Sequence, residues 1–253
     1  MVRVVYRSEF TTQGVNVPAE ILNGPLPPTM PPQTPHPRRP FRCDVGTSFV
    51  VTEPNVDINT VFTSLTTVNS MVFGYFVVPA NTTMPATFQE IPSDLHILSP
   101  RLSTLVPGSL FKLSKNYTVK EVQHPIHADK NIWVVDKILD YQFTPGDRIC
   151  FFIIQRGWDP NFGARTGLQP LDYKHAANEF HTPYLFTEPK LNPDYLGPED
   201  PTCAGVHFLS FPGLLAGGLP ATIYRGEDTP TNWNSDRDFN DIGFFTFASY
   251  NLV

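Results

Sequence analysis

The sequence predicts an all-β fold, a single β sandwich of jelly-roll type with long loops, and three observations carry that prediction. First, 27 prolines and 16 glycines in 253 residues cut the chain into short segments and leave no room for long helices. Second, the runs between them are rich in β-branched and aromatic residues, with 20 phenylalanines in all. Third, 41% apolar against 17% charged residues is enough to build a core and too little charge for a disordered chain. One β domain often reaches this length.

In chain order, residues 2–6 (VRVVY) form a first short strand. Residues 17–40 hold nine prolines, among them Pro27-Pro28, Pro31-Pro32 and the run Pro35-His-Pro-Arg-Arg-Pro40. Such a stretch favours polyproline II and cannot join a sheet interior, so it is a solvated linker or an arm laid on another surface. The chain therefore divides into an N-terminal strand and arm, 1–41, and a sandwich domain, 42–253. Strands are expected over 47–52, 70–79, 132–138, 147–155, 205–210, 221–224 and 242–248. Of these, 70–79 (SMVFGYFVVP) and 147–155 (DRICFFIIQ) are apolar enough to be buried on both faces. Turns fall at Pro79-Ala-Asn81, Thr144-Pro-Gly-Asp147 and Asn192-Pro-Asp194. Two stretches read as short helices, 55–65 and 173–180.

A net charge of −6 and a pI near 5.6 argue against capture of nucleic acid or an anionic membrane, which need a basic patch. No apolar window reaches the length of a membrane span, and the first residues do not read as a secretory signal. Cys43, Cys150 and Cys203 are widely spaced, without the C-x-x-C pairs of zinc or redox sites, and are expected to be buried free thiols.

Residues 224–241 (YRGEDTPTNWNSDRDFND) concentrate carboxylates and amides more than any other stretch. Calcium takes six to eight oxygen ligands; Asp236, Asp238 and Asn240 alternate and can aim oxygens at one point, with Asp241, Glu227 or Asp228 completing the shell. The bland alternative is an acidic turn whose side chains cap local backbone. It is not an EF-hand, because the sixth position after Asp236 is not glycine and the twelfth is Phe247.

The pair Glu227-Asp228, then Asp236-Arg-Asp-Phe-Asn-Asp241, then Ile242-Gly-Phe-Phe, resembles the closing signature of a domain of unknown function that recurs in large calcium-dependent bacterial surface and adhesin proteins. Gly74-Tyr75-Phe76, Pro145-Gly146-Asp147, Leu191-Asn192-Pro193-Asp194 and Val206-His207-Phe208 agree in order, so the resemblance spans about residues 45–250. It implies metal roles for Glu227, Asp228, Asp236, Asp238 and Asp241, and a carbonyl ligand or loop brace in Asn240. Asn192 and Asp194 are additional metal candidates. Between Asp228 and Asp236 this chain has Thr-Pro-Thr-Asn-Trp-Asn-Ser where the family has a glycine-rich turn.

Other constellations are weaker. His124, His127 and Asp129 lack an adjacent third zinc ligand of the usual kind, and Pro125 keeps the histidines off one helical face. His207, in an apolar run, reads as a satisfied core or edge residue. No nucleophile, base and orienter form a recognisable set. Trp158 and Trp233 lie in polar loops and are candidates for stacking on a sugar. The expectation is a non-catalytic structural or assembly protein with calcium as its cofactor, a component of a viral capsid or surface layer, whose N-terminal arm docks on neighbouring protein subunits. The alternative is a calcium-dependent module that binds carbohydrate or adheres to a glycan surface.

Overall fold

The computed structural model describes residues 3–6, 47–67, 71–123, 131–155, 158–159, 163–164, 184–192, 194–200, 202–228 and 239–250. Fifteen strands run through these residues: β1 (Val4–Tyr6), β2 (Phe49–Val50), β3 (Val56–Leu65), β4 (Val72–Val78), β5 (Leu95–Ser99), β6 (Leu110–Lys112), β7 (Asn116–Gln123), β8 (Asn131–Asp140), β9 (Arg148–Ile154), β10 (Trp158–Asp159), β11 (Gly163–Ala164), β12 (Tyr184–Phe186), β13 (Phe208–Leu214), β14 (Pro220–Gly226) and β15 (Ile242–Tyr250). All but β10 and β11, which pair with each other, build a sandwich, as predicted. The larger sheet has the order β12-β9-β4-β5-β1-β8-β7, with β2 also on β9; the smaller has the order β13-β14-β15-β3-β6. Among the described residues no helix is long and apolar enough to cross a membrane.

The core lies between the sheets. Phe73, Tyr75, Phe151 and Ile153 of the larger sheet meet Ile58, Phe62, Tyr224, Ile242 and Phe244 of the smaller. Phe151 touches three other rings, with centroids 5.8 Å from Phe73, 5.4 Å from Tyr224 and 4.9 Å from Phe244. The opposite sides of β4 and β9 are buried too, where Phe76, Phe152 and Ile154 join Tyr6, Ile97, Val134 and Phe186 in a second cluster. Both strands are therefore closed on two faces, which their unbroken apolar runs anticipated. Gly74 is required at the crossing of β4 and β5, because a Cβ there would lie 2.2 Å from the His96 carbonyl oxygen and 2.4 Å from the Phe152 ring.

The predicted turns form. Asp147 N–H bonds the Thr144 carbonyl at 2.9 Å with Gly146 at φ +92°, and Tyr195 N–H bonds the Asn192 carbonyl at 3.1 Å. Three expectations are corrected. The stretch 55–65 is not a helix: it is β3, ten residues long, with Asn55 in a left-handed turn (φ 57°) before it rather than capping a helix. Its β-branched residues (Val56, Ile58, Thr60, Val61, Thr63) suit a strand that is buried for seven residues and paired on both sides, and that environment decides against a helix. Second, Val4–Tyr6 belongs to the sandwich rather than to an appended arm, since β1 lies between β5 and β8. Third, Cys203 is disulfide-bonded, whereas Cys150 is a buried free thiol pushed well up by burial; isolated cysteines carry no spacing signal that tells the two states apart. Cys43 lies outside the described residues, as do the predicted helix 173–180 and the group His124, His127 and Asp129.

Candidate metal centre

Four strands of the smaller sheet end in line. Phe208 pairs with Gly226, Gly226 with Ile242, and Ile242 with Leu65. One residue further along, the ladder still holds: Glu227 N–H bonds the His207 carbonyl at 2.8 Å, and Thr66 N–H bonds the Asp241 carbonyl at 3.0 Å. The strand register thus delivers His207, Glu227, Asp241 and Thr66 to one end of the sheet.

Glu227 and Asp228 are buried there, at 2% and 3% exposure, and Asp241 is half-buried. One carboxylate oxygen from each of the three lies within 4.8 Å of the others. The Asp228 N–H donates to Asp241 Oδ2 at 3.0 Å, and the Thr67 hydroxyl donates to Asp228 Oδ2. Thr66 Oγ1 sits 2.7 Å from the Asn240 carbonyl oxygen and 2.8 Å from its Oδ1. Phe239, at φ 53°, adopts a conformation rare for a bulky side chain, and the chain passes through it into Asn240 and Asp241. Burial, joined by the negative charge of Asp228, raises the Asp241 carboxyl above its usual range, and hydrogen bonds from the Asp228 N–H and the Glu227 side chain oppose that rise.

This donor set fits a hard cation. Two oxygens bound to one calcium at about 2.4 Å can be no more than about 4.8 Å apart, and the three carboxylate oxygens meet that limit. All three are oxygen donors from carboxylates, the chemistry of calcium or magnesium rather than of zinc.

The other candidates fall elsewhere. Asn192 commits its carboxamide to backbone: Oδ1 accepts Phe186 N–H at 2.6 Å, and Nδ2 donates to the carbonyls of Phe186 at 2.9 Å and Gly205 at 2.7 Å. It braces the end of β12. Asp194 faces His207, whose Nε2 lies 2.9 and 3.1 Å from its two oxygens, both residues being buried. Neither is among the three converging carboxylates. His207 is buried as expected, but only its Nε2 is answered, by Asp194; its buried Nδ1 has no hydrogen-bond partner among the described residues, so it is not the fully satisfied residue expected. Asp236, Asp238 and Trp233 lie outside the described residues, as does the side chain of Trp158. Thr66 and Thr67 were not anticipated, because they follow the stretch misread as a helix; as a strand beside β15, that stretch brings them to Asn240 and Asp228.

Elsewhere, an open polar cleft of about 610 Å³ is lined by Arg3, Ser93, Asp94, Lys115, Asn116 and Asp140, among others. Comparison of the chain with protein-family models, with curated proteins and with solved structures gives no match.

Proposed function

We propose that this chain is a non-catalytic structural subunit of a larger assembly, a viral capsid or surface layer, whose sandwich is stiffened by calcium at the end of its smaller sheet. The observation that carries the reading is the convergence of Glu227, Asp228 and Asp241 at the tips of paired strands. These three would hold the ion. Asn240 and, by the family resemblance, Asp236 and Asp238 would bring the shell towards six to eight oxygens. The cation would offset the mutual repulsion of the carboxylates and tie the segment between β14 and β15 to the Thr66–Thr67 end of β3.

Two further points support the reading. Disulfides such as that of Cys203 persist at cell surfaces, in virions and in secreted proteins. The acidic groups gather on one point, which suits neutralisation by a cation better than the divided roles of two catalytic carboxylates. The test is light scattering after size-exclusion chromatography, in calcium and in EDTA, on the wild type and a Glu227→Gln/Asp241→Asn variant. Oligomers are expected in calcium, dissociating in EDTA and not formed by the variant. A wild type that binds calcium yet stays monomeric at every concentration would remove the assembly role.

The polar cleft favours a second reading, recognition of a glycan. None of the three carboxylates lines it, so such binding should persist in EDTA. A glycan array read with and without calcium decides between this and the calcium-dependent form.

A further inference from the structure

The first strand of the chain lies in the middle of the larger sheet. β1 pairs in parallel with β5 on one side (Val4↔Leu95, Val5↔His96, Tyr6↔Ile97) and with β8 on the other (Val5↔Trp133, Tyr6↔Val134). In the order of the sheet, among the described residues, β1 is what joins β5 to β8. Val5 is fully buried and Tyr6 nearly so, at 0% and 3% exposure. Taken out, β1 would leave a slot with two parallel edges, each a row of backbone groups ready to pair with an incoming strand.

The slot also recognises the residue that leads the strand in. Arg3 makes a two-pronged bond to Asp94, Nε to Oδ1 at 2.9 Å and Nη2 to Oδ2 at 2.7 Å, and Tyr117 donates its hydroxyl to the same carboxylate at 2.8 Å. The Arg3 guanidinium also lies 5.2 Å from the centre of the Trp133 ring on β8. Asp94 precedes β5, so Arg3 grips both walls.

The sequence separation between β1 and the rest of the sandwich is long. Between Tyr6 and Phe49 come 42 residues, and β2, where the chain re-enters the sheet, pairs with β9, two strands away from β5. At no more than about 3.6 Å per residue, a segment of that length spans at most about 150 Å. A domain of this size has a radius of gyration of about 18 Å. A neighbouring molecule is therefore within reach, and exchange of an identical element between copies creates no contact that the single chain does not already make.

We propose that the slot between β5 and β8 is a strand-acceptor site whose partner is a second copy of this chain, and that adjacent subunits exchange β1. The slot takes an extended segment of the form Arg-Val-Val-Tyr in parallel register. Pairing within one chain does not depend on protein concentration whereas exchange between chains does, so exchange dominates in concentrated or assembled protein. The proposal rests on the assembly reading for its setting but involves no metal. Failure of the exchange test leaves a calcium-dependent rise in melting temperature standing, and absence of that rise leaves the exchange standing.

The test places cysteines at the neighbouring positions 3 and 94 of the full-length chain. The Arg3→Cys/Asp94→Cys double variant reports pairing within a chain. A concentrated mixture of the two single variants, oxidised and run on a non-reducing denaturing gel, reports pairing between chains, with Glu53→Cys in place of Asp94→Cys as the exposed control. A disulfide-linked dimer as the main product when the Arg3→Cys chain is mixed with the Asp94→Cys chain, absent from the control, is the expected result. A synthetic peptide of residues 1–9 carrying Arg3→Cys is also offered to the Asp94→Cys chain. The proposal is overturned if the double variant links within one chain while the mixture stays monomeric. Capture of the peptide without capture of a second chain overturns it equally, because the occupant would then not be another copy.

Discussion

Asp147, at the entry to β9, and the Glu227, Asp228 and Asp241 group, at the exit of β14 and entry to β15, are both acidic sites at strand ends, and their surroundings differ in kind. Asp147 is fully buried. Its Oδ1 accepts Ala80 N–H at 2.9 Å; its Oδ2 accepts Thr144 N–H at 2.7 Å and the Lys115 ammonium at 2.6 Å. At the end of the smaller sheet, like charges stand beside one another. A buried carboxylate answered by an opposite charge and two N–H groups completes a turn. Three converging carboxylates favour whatever positive charge enters, whether a proton or a metal ion. Burial alone therefore does not distinguish a candidate binding site from a structural carboxylate; the sign of the neighbours separates the two.

The largest expected effect separates the two sites. Replacing Asp147 with alanine removes the partner of Lys115 and of two backbone N–H groups and should cost about 3–5 kcal/mol, equally in calcium and in EDTA, as read from urea unfolding midpoints. A loss that appeared only in calcium would place Asp147 in the metal network. Next, saturating calcium at a hundred times Kd should add about 2.7 kcal/mol to the wild type, and Asp241→Asn should abolish most of that gain.

The third prediction concerns pH without metal. Because the Asp241 carboxyl is raised in the folded chain, the folded state holds its proton at pH values where the unfolded chain has lost it. That contribution is fully present below the ordinary aspartate value of 3.8 and is lost as pH rises through the higher folded value. Unfolding midpoints in EDTA should carry this downward component, Asp241→Asn should lack it, and calcium should suppress it by displacing the proton. The smallest effect belongs to the half-exposed pair Lys120 and Asp136, 2.9 Å apart. Asp136→Ala should change stability by less than about 1 kcal/mol, and a thermal melt showing more would mean that exposed charge matters here beyond its usual weight.

Much of the sandwich was legible in the sequence. The runs 70–79 and 147–155 read as doubly buried strands because their apolar residues are unbroken, and they became β4 and β9. β7 was missed for the opposite reason: Asn116–Gln123 is a largely exposed strand with few apolar residues. The parallel insertion of β1 could not be read either, since pairing between residues so distant in sequence leaves no local pattern. At the candidate metal centre, Glu227, Asp228 and Asp241 were legible because carboxylates crowd one stretch. Thr66 and Thr67 were not, because their place depends on β3 lying beside β15. The contrast between Asn192 and Asp194 was also hidden: their residue types suit a metal, but their partners are the backbone of Phe186 and Gly205 and the ring of His207.

The most direct test is the melting temperature of the metal-stripped protein in EDTA, in calcium and in magnesium, alongside the Glu227→Gln/Asp241→Asn variant. The account predicts a rise with calcium, a smaller one with magnesium, and none in the variant. An identical melting temperature under all three conditions, in a protein shown to be metal-free and folded, would contradict it and leave the three carboxylates as a proton-holding end to the sheet.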